Sequence, residues 1–484
     1  MPRWLLAALA ALLACPCSRA DEAHEVVLLD GRKIGTFHLV TTPDSGRLRT
    51  VATIDLALKR YGTSVRLYRE ESTVETPEGK VEGVGMRQGA PGSKQLVLTG
   101  TLDRDHMHVL VDGGRIDRHL PWPADVVGLR GQQAMFAAKK VQPGDRLTFR
   151  RYEPTYNRVL TVQAEVKGRE AVDLLGERKT LLRVELTPDK IEGGGVTVRP
   201  PKAVVWLDDA LTVARRQQEI DGLGTVAFVR TTREKALTQA AADVDVGARS
   251  LIALDRALSR PYDSRAIVYR VTARGEDEPA SLLSRDEHQE VLNVRGSTFE
   301  LHVHPPRPGD KGDARPEAAY LVSSHFLDHE DERVTELARR AVGAETDAWK
   351  KALRIERYVK NLMRNDNSAP LAPASAVARS PRGDCRHHAF LTAAMCRTAG
   401  LPSRTAIGLL YVYRAGPKFG FHMWTEVLID GRWLGIDSTL GKGGVSAAHV
   451  KVTDHAWQDT ASLTPLLPVS RVLGKLRFEV LKAE

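Results

Sequence analysis

Arg382-Gly383-Asp384-Cys385-Arg386-His387-His388 opens the stretch that decides the fold. It continues through an apolar segment to Gly400-Leu401-Pro402 and closes with His422-Met423-Trp424-Thr425-Glu426 and Trp433-Leu434-Gly435-Ile436-Asp437-Ser438-Thr439. A cysteine, a histidine and an aspartate follow one another in the order open to a thiol nucleophile, its base and the group that orients the base. Phe390, Leu391, Ala394 and Met395 predict a buried helix that starts at the cysteine and stops at Gly400, with Pro402 beyond it. Segments 405–412, 423–429 and 433–436 read as strands, the last two joined by an Asp430-Gly431 hairpin turn.

On this reading Cys385 sits at a helix N-terminus, whose partial positive charge favours a thiolate. Asp384 is the candidate cap, and it opposes the thiolate if its carboxylate faces the sulfur. His422 would supply an imidazolium, and Asp437, across the turn, would fix the tautomer of that ring. Singly, a buried cysteine is usually an inert small hydrophobe, a histidine a satisfied structural residue and an aspartate a turn residue. Only the joint order raises the odds of a site. Cys396 falls on the apolar side of the same helix, roughly 16 Å along the axis from Cys385, and a disulfide needs Cα atoms within about 7 Å. His387, His388 and His449 are the rival metal ligands for Cys385. His387 splays to another helix face, His388 stays open, and no second Cys or His pair has metal-binding spacing, so no metal and no cofactor is expected. The acidic run 326–332 lacks the glycine and alternating ligands of an EF-hand and predicts a capped helix start.

The remaining chain reads as delivery or support. Residues 1–20 have one early Arg3, an apolar run too short to span a bilayer, and Ser18-Arg19-Ala20 before Asp21-Glu22, the layout of a cleaved export signal. Leu12-Leu13-Ala14-Cys15 resembles a lipoprotein box, with Cys15 as a lipid anchor, although Pro16 argues against it. The product would be periplasmic or extracellular, or else a membrane-tethered lipoprotein, with no transmembrane segment. Short alternating segments with turn chemistry, such as Asp30-Gly31, predict an antiparallel β-rich domain over 21–240. A polar helical connector is expected over 236–259, and a second β-rich unit over 241–319. Apolar residues at helical spacing, for example Ala352, Ile355, Val359 and Met363, open a final unit over 320–484. The net charge of +9 comes from bases interleaved with acids, which argues for a solvated surface and against nucleic-acid binding.

Gly383-Asp384-Cys385, His388-Ala389, Ala399 to Arg404, His422 to Val427 and Trp433 to Thr439 together resemble the transglutaminase-like superfamily, in its bacterial exported branch. The resemblance covers roughly 320 to the C-terminus and implies an α+β fold, with a papain-like core preceded by antiparallel β-rich domains. It further implies Cys385 as nucleophile, His422 as base and then acid, and Asp437 as orienter. Attack on an amide of a protein or peptide substrate would give a thioester, resolved by water or by an amine. The Cys385 N–H would be one oxyanion donor, and Asn361, Asn365 and Asn367 are candidates for a second. His387 departs from the acidic residue common at its place in the family. The rival expectation is a non-catalytic envelope interaction protein on the same fold. The oligomeric state is left open.

Overall fold

The computed structural model describes residues 21–89, 95–111, 116–193, 196–238, 243–276, 278–458 and 464–484. The expected leader over 1–20, with Cys15, lies outside the described residues.

From Asp21 to Thr231 the chain forms one fifteen-stranded sheet. Neighbouring strands are antiparallel except where Val126–Val127 runs parallel to Arg146–Glu153. Asp30-Gly31 turns the first hairpin with φ of 48° and 79°, the left-handed pair that a tight two-residue turn requires. The strands are longer than their apolar alternation suggests. Arg158–Leu174 and Arg47–Arg60 continue through charged residues such as Lys167, Arg169 and Lys59. Helix Leu129–Ala138, which the periodicity does not announce, inserts Met135 and Phe136 among Phe149, Val162 and Val184.

The expected helical connector over 236–259 is not one helix. Asp245 caps only the turn Val246–Arg249, and the same carboxylate accepts the N–H groups of Tyr61 and Gly62 at 3.0 and 2.7 Å. Beyond it Ile252, Leu254 and Leu258 are buried, and Ile252–Ala253 pairs with the strand Pro417–Ile429. Sheet pairing there outcompetes helix propensity. A four-stranded sheet follows, ordered Gln289–Arg295, Thr298–Val303, Ile267–Ala273 and Leu476–Ala483, so the C-terminal strand closes a sheet begun two hundred residues earlier.

The rest is α+β. Helices Glu332–Val342 and Ala348–Leu362 are capped by Asp331 and Asp347. They pack with helix Cys385–Thr398 against an antiparallel sheet of Ser403–Tyr413, Pro417–Ile429, Arg432–Ile436 and His449–His455. Ile355, Val359, Leu391, Met395, Val427 and Ile436 form the core between these layers. Lys451, 1% exposed, reaches Glu426 at 2.9 Å, Asp286 at 2.7 Å and Asp454 at 2.8 Å. That network satisfies a buried charge and ties the preceding unit to the sheet. No helix among the described residues is long and apolar enough to cross a membrane.

Candidate active site

Gly383 makes the entry to the cysteine helix, because a Cβ there would lie 2.3 Å from His387 Cγ. Asp384 caps the helix by accepting the Arg386 N–H at 3.0 Å, while its own N–H donates to His387 Nδ1 at 3.1 Å. That reciprocal box explains the departure at His387, whose Nε2–H donates to the Pro370 carbonyl at 2.7 Å. Arg386 grips the Asp384 carboxylate at 2.9 and 2.7 Å, and Arg60, from the strand Arg47–Arg60, pairs with it across the domain boundary. Burial pushes this carboxyl up, but the Arg386 and Arg60 guanidiniums outweigh it and hold the group far below the usual carboxylate range. The charge that would repel a neighbouring thiolate is thereby matched.

Cys385 is half-buried at the start of its helix, and its charge acts on the His422 imidazole. His422 Nε2 lies 2.8 Å from Asp437 Oδ2, which leaves Nδ1 for the sulfur. Burial alone would lower the His422 pKa; the Asp437 and Cys385 charges overcome it and raise it from 6.5 to about 10. Asp437 is itself held well below its ordinary value, burial being outweighed by His422 and His449. The helix is pinned to both partner strands. Thr425 Oγ1–H donates to the Ala389 carbonyl at 3.0 Å, His388 Nδ1–H donates to the Ser438 carbonyl at 3.1 Å, and the Thr392 and Ser438 hydroxyls meet at 2.7 Å.

Two residues support Asp437 that the sequence did not single out for this task. His449, weighed above only as a metal ligand, accepts the Ser446 N–H on Nδ1 at 3.2 Å and so donates from Nε2 to Asp437 Oδ2 at 3.2 Å. Burial lowers its pKa, which keeps it neutral. Glu356 accepts the N–H groups of Asp437, Gly443 and Gly444 at 3.1, 3.0 and 3.3 Å, and burial raises its carboxyl to about 7. A glutamate beside Ile355 on the apolar side of its helix was the available signal. For Arg60, 324 residues from its partner, there was none.

Of the candidate asparagines, Asn361 and Asn365 are exposed, and Asn365 pairs with Gly383 in a two-stranded ribbon. Asn367 is half-buried and lines a cavity beside Arg386. The ligand atoms of His422, Asp437 and His449 lie within 4.8 Å of one another, close enough to hold an ion. Both rings already engage one Asp437 oxygen, however, so a metal would have to displace those bonds.

Residues 335–438 match the family model of the transglutaminase-like superfamily, and this part of the chain is a transglutaminase-like domain. The chain is 34% identical over 82 residues to the kyphoscoliosis peptidases of Mus musculus and Homo sapiens, a match covering 16% of this chain and only 12% of each relative. Among solved structures, a proposed cysteine protease from Cytophaga hutchinsonii is 15% identical, with 45% of this chain and 86% of that one aligned at a TM-score of 0.31. A beta-barrel-like protein of a domain of unknown function from Brucella abortus is 11% identical, with 44% and 96% aligned at 0.33.

Proposed function

We propose that the chain is an exported thiol enzyme acting on amide bonds of proteins or peptides, with Cys385 as nucleophile, His422 as base and then acid, and Asp437 as orienter. One observation carries this reading: a single imidazole is bonded through one nitrogen to a buried carboxylate and lies within electrostatic reach of a half-exposed thiol at a helix N-terminus. His422 takes the thiol proton and the sulfur attacks the carbonyl carbon, forming the C–S bond while the C=O electron pair moves to oxygen. The Cys385 N–H would receive that oxyanion, and Asn367, the one of the three asparagines that is half-buried, is our choice for the second donor. Collapse breaks the C–N bond, and the imidazolium protonates the departing amine. Water or a second amine then attacks the thioester, giving its proton to His422 and releasing the sulfur. Both outcomes remain within the reading.

Export rests on the leader over 1–20, and mass spectrometry of the mature N-terminus separates cleavage after Ala20 from lipidation at Cys15. A thiol-directed amide probe should label wild type and not Cys385→Ala. Labelling that survives His422→Ala would remove the base assignment. Incubation with casein, with and without a labelled amine, separates transfer from hydrolysis.

A further inference from the structure

The first hairpin of the fifteen-stranded sheet, turned at Asp30-Gly31, sets Asp21–Leu29 antiparallel to Arg32–Asp44 with His24 directly opposite His38. Their rings stack with 4.3 Å between centroids and 6° between planes. Glu22 precedes His24 by two positions on the same strand and so stands on the same sheet face. Its Oε2 lies 3.3 Å from His24 Nε2 and 3.6 Å from His38 Nε2. His38 Nε2 is shielded from solvent and has no hydrogen-bond partner among the described residues. Both separations exceed the ~2.7–3.2 Å of a good N–H···O bond. They match instead the roughly 3.4 Å between donor atoms set tetrahedrally around one ion at about 2.1 Å. Two other sets of three ligand atoms lie as close together among the described residues, and both are spent on hydrogen bonds. In those, His108 Nε2 is 2.7 Å from Asp117 Oδ1 and His422 Nε2 is 2.8 Å from Asp437 Oδ2.

We infer that Glu22, His24 and His38 form a zinc site, each giving one ligand atom and water the fourth, that clips the first two strands together. Two imidazoles and a carboxylate suit Zn²⁺, whereas Mg²⁺ and Ca²⁺ take oxygen donors. Glu22, with a side chain 45% exposed, leaves a path for the ion and room for the water, and His24, at 12%, seats it against the sheet. The helix Arg233–Leu237 packs on both strands beside the cluster. Its Arg233 acts on His38 and its Glu234 on His24, so the helix adds one charge of each sign. The sequence hides this set, because the hairpin alone brings His38 to the other two. The inference is independent of the chemistry at Cys385. A clip that exists only in the folded sheet adds stability as zinc fills it.

The test is equilibrium dialysis of the untagged full chain against ZnCl₂, with bound metal counted by atomic emission. The parent carries Cys385→Ala, which removes a competing thiol. It should bind zinc with a Kd of about 10 µM or tighter. Adding His24→Gln or His38→Gln should weaken that binding about a hundredfold, and adding Glu22→Gln about tenfold. His108→Gln should change it less than about twofold. Zinc should raise the melting temperature of the parent and not that of the His24→Gln variant, and excess Mg²⁺ should do neither. Melting temperatures without zinc check that the variants fold, and the exposed Glu22→Gln decides the matter where a histidine variant does not. Parent binding weaker than that limit overturns the inference. So does an affinity unchanged by the histidine substitutions or by Glu22→Gln, or one lost equally in His108→Gln.

Discussion

The two ends of one helix hold the two described cysteines in opposite surroundings. Cys385, at the N-terminus, is half-exposed, within electrostatic reach of His422 and next to a carboxylate matched by two guanidiniums. Cys396, in the last turn, is fully buried among Leu391, Met395 and Leu401, and burial pushes its thiol well up. Residue type is the same; position relative to the helix start, to charge and to water makes one sulfur a nucleophile candidate and the other a core atom. The sharpest way to break that contrast is substitution. Cys385→Ala should reduce amide turnover by more than about 10⁴-fold, while Cys396→Ala should leave turnover near wild type and lower stability by about 1–2 kcal/mol through lost packing. Equal losses of activity in the two correctly folded variants would erase the distinction.

A parallel contrast separates the two histidines on Asp437. His422 is driven toward its charged form, whereas His449 is kept neutral. Asp437→Asn should cost about 10³–10⁴-fold in kcat by disturbing tautomer and charge together; His449→Gln should cost about tenfold, since the Asp437–His422 bond survives. The sign of the pH effect follows from the raised His422 pKa. Its stabilisation is complete below the ordinary value of 6.5 and is lost as pH rises through about 10. The melting temperature of wild type relative to His422→Asn should therefore fall between pH 8 and 10.5, with no such fall between 5 and 6.

Much of this was legible in the sequence because the chemistry is local to recognisable elements. Helix capping at Asp384, the apolar run that follows and the Asp430-Gly431 hairpin turn set the helix start and the two strands that carry these residues. The length of the Arg47–Arg60 strand, the helix Leu129–Ala138 and the closing strand Leu476–Ala483 were not legible. Their patterns are short, interrupted by charge, or completed only by partners hundreds of residues away. The same holds for Arg60, an unremarkable charge beside a Tyr61-Gly62 turn until the fold carries it to Asp384.

Arg60 links the two regions whose roles differ most. Arg60→Ala leaves Arg386 alone on the Asp384 carboxylate, so the helix start keeps a cap but gains uncompensated negative charge beside the sulfur. The expected result is about a tenfold fall in kcat and slower alkylation of Cys385 by iodoacetamide at neutral pH, with Arg60→Lys recovering part of both. Alkylation of Arg60→Ala at the wild-type rate would show that Arg386 alone matches the Asp384 charge.

Glu356 offers the smallest and most specific perturbation. As a carboxylate it accepts three N–H groups that hold the Asp437 loop; once protonated, it turns an O–H toward one of those donors. Its pKa is raised to about 7 by burial, ahead of the neighbouring Asp437 charge. A raised carboxyl is a stabilising proton site below its unfolded value near 4.5, and that contribution is lost as pH rises through 7. Wild type should thus gain thermal stability over Glu356→Gln on moving from pH 8 to 5, while its kcat falls two- to threefold as the loop loosens. The two curves run in opposite directions because the proton that favours the fold weakens the hydrogen bonds holding Asp437. If both quantities move together in wild type, or if Glu356→Gln keeps the acid-side loss of kcat, another group governs the loop.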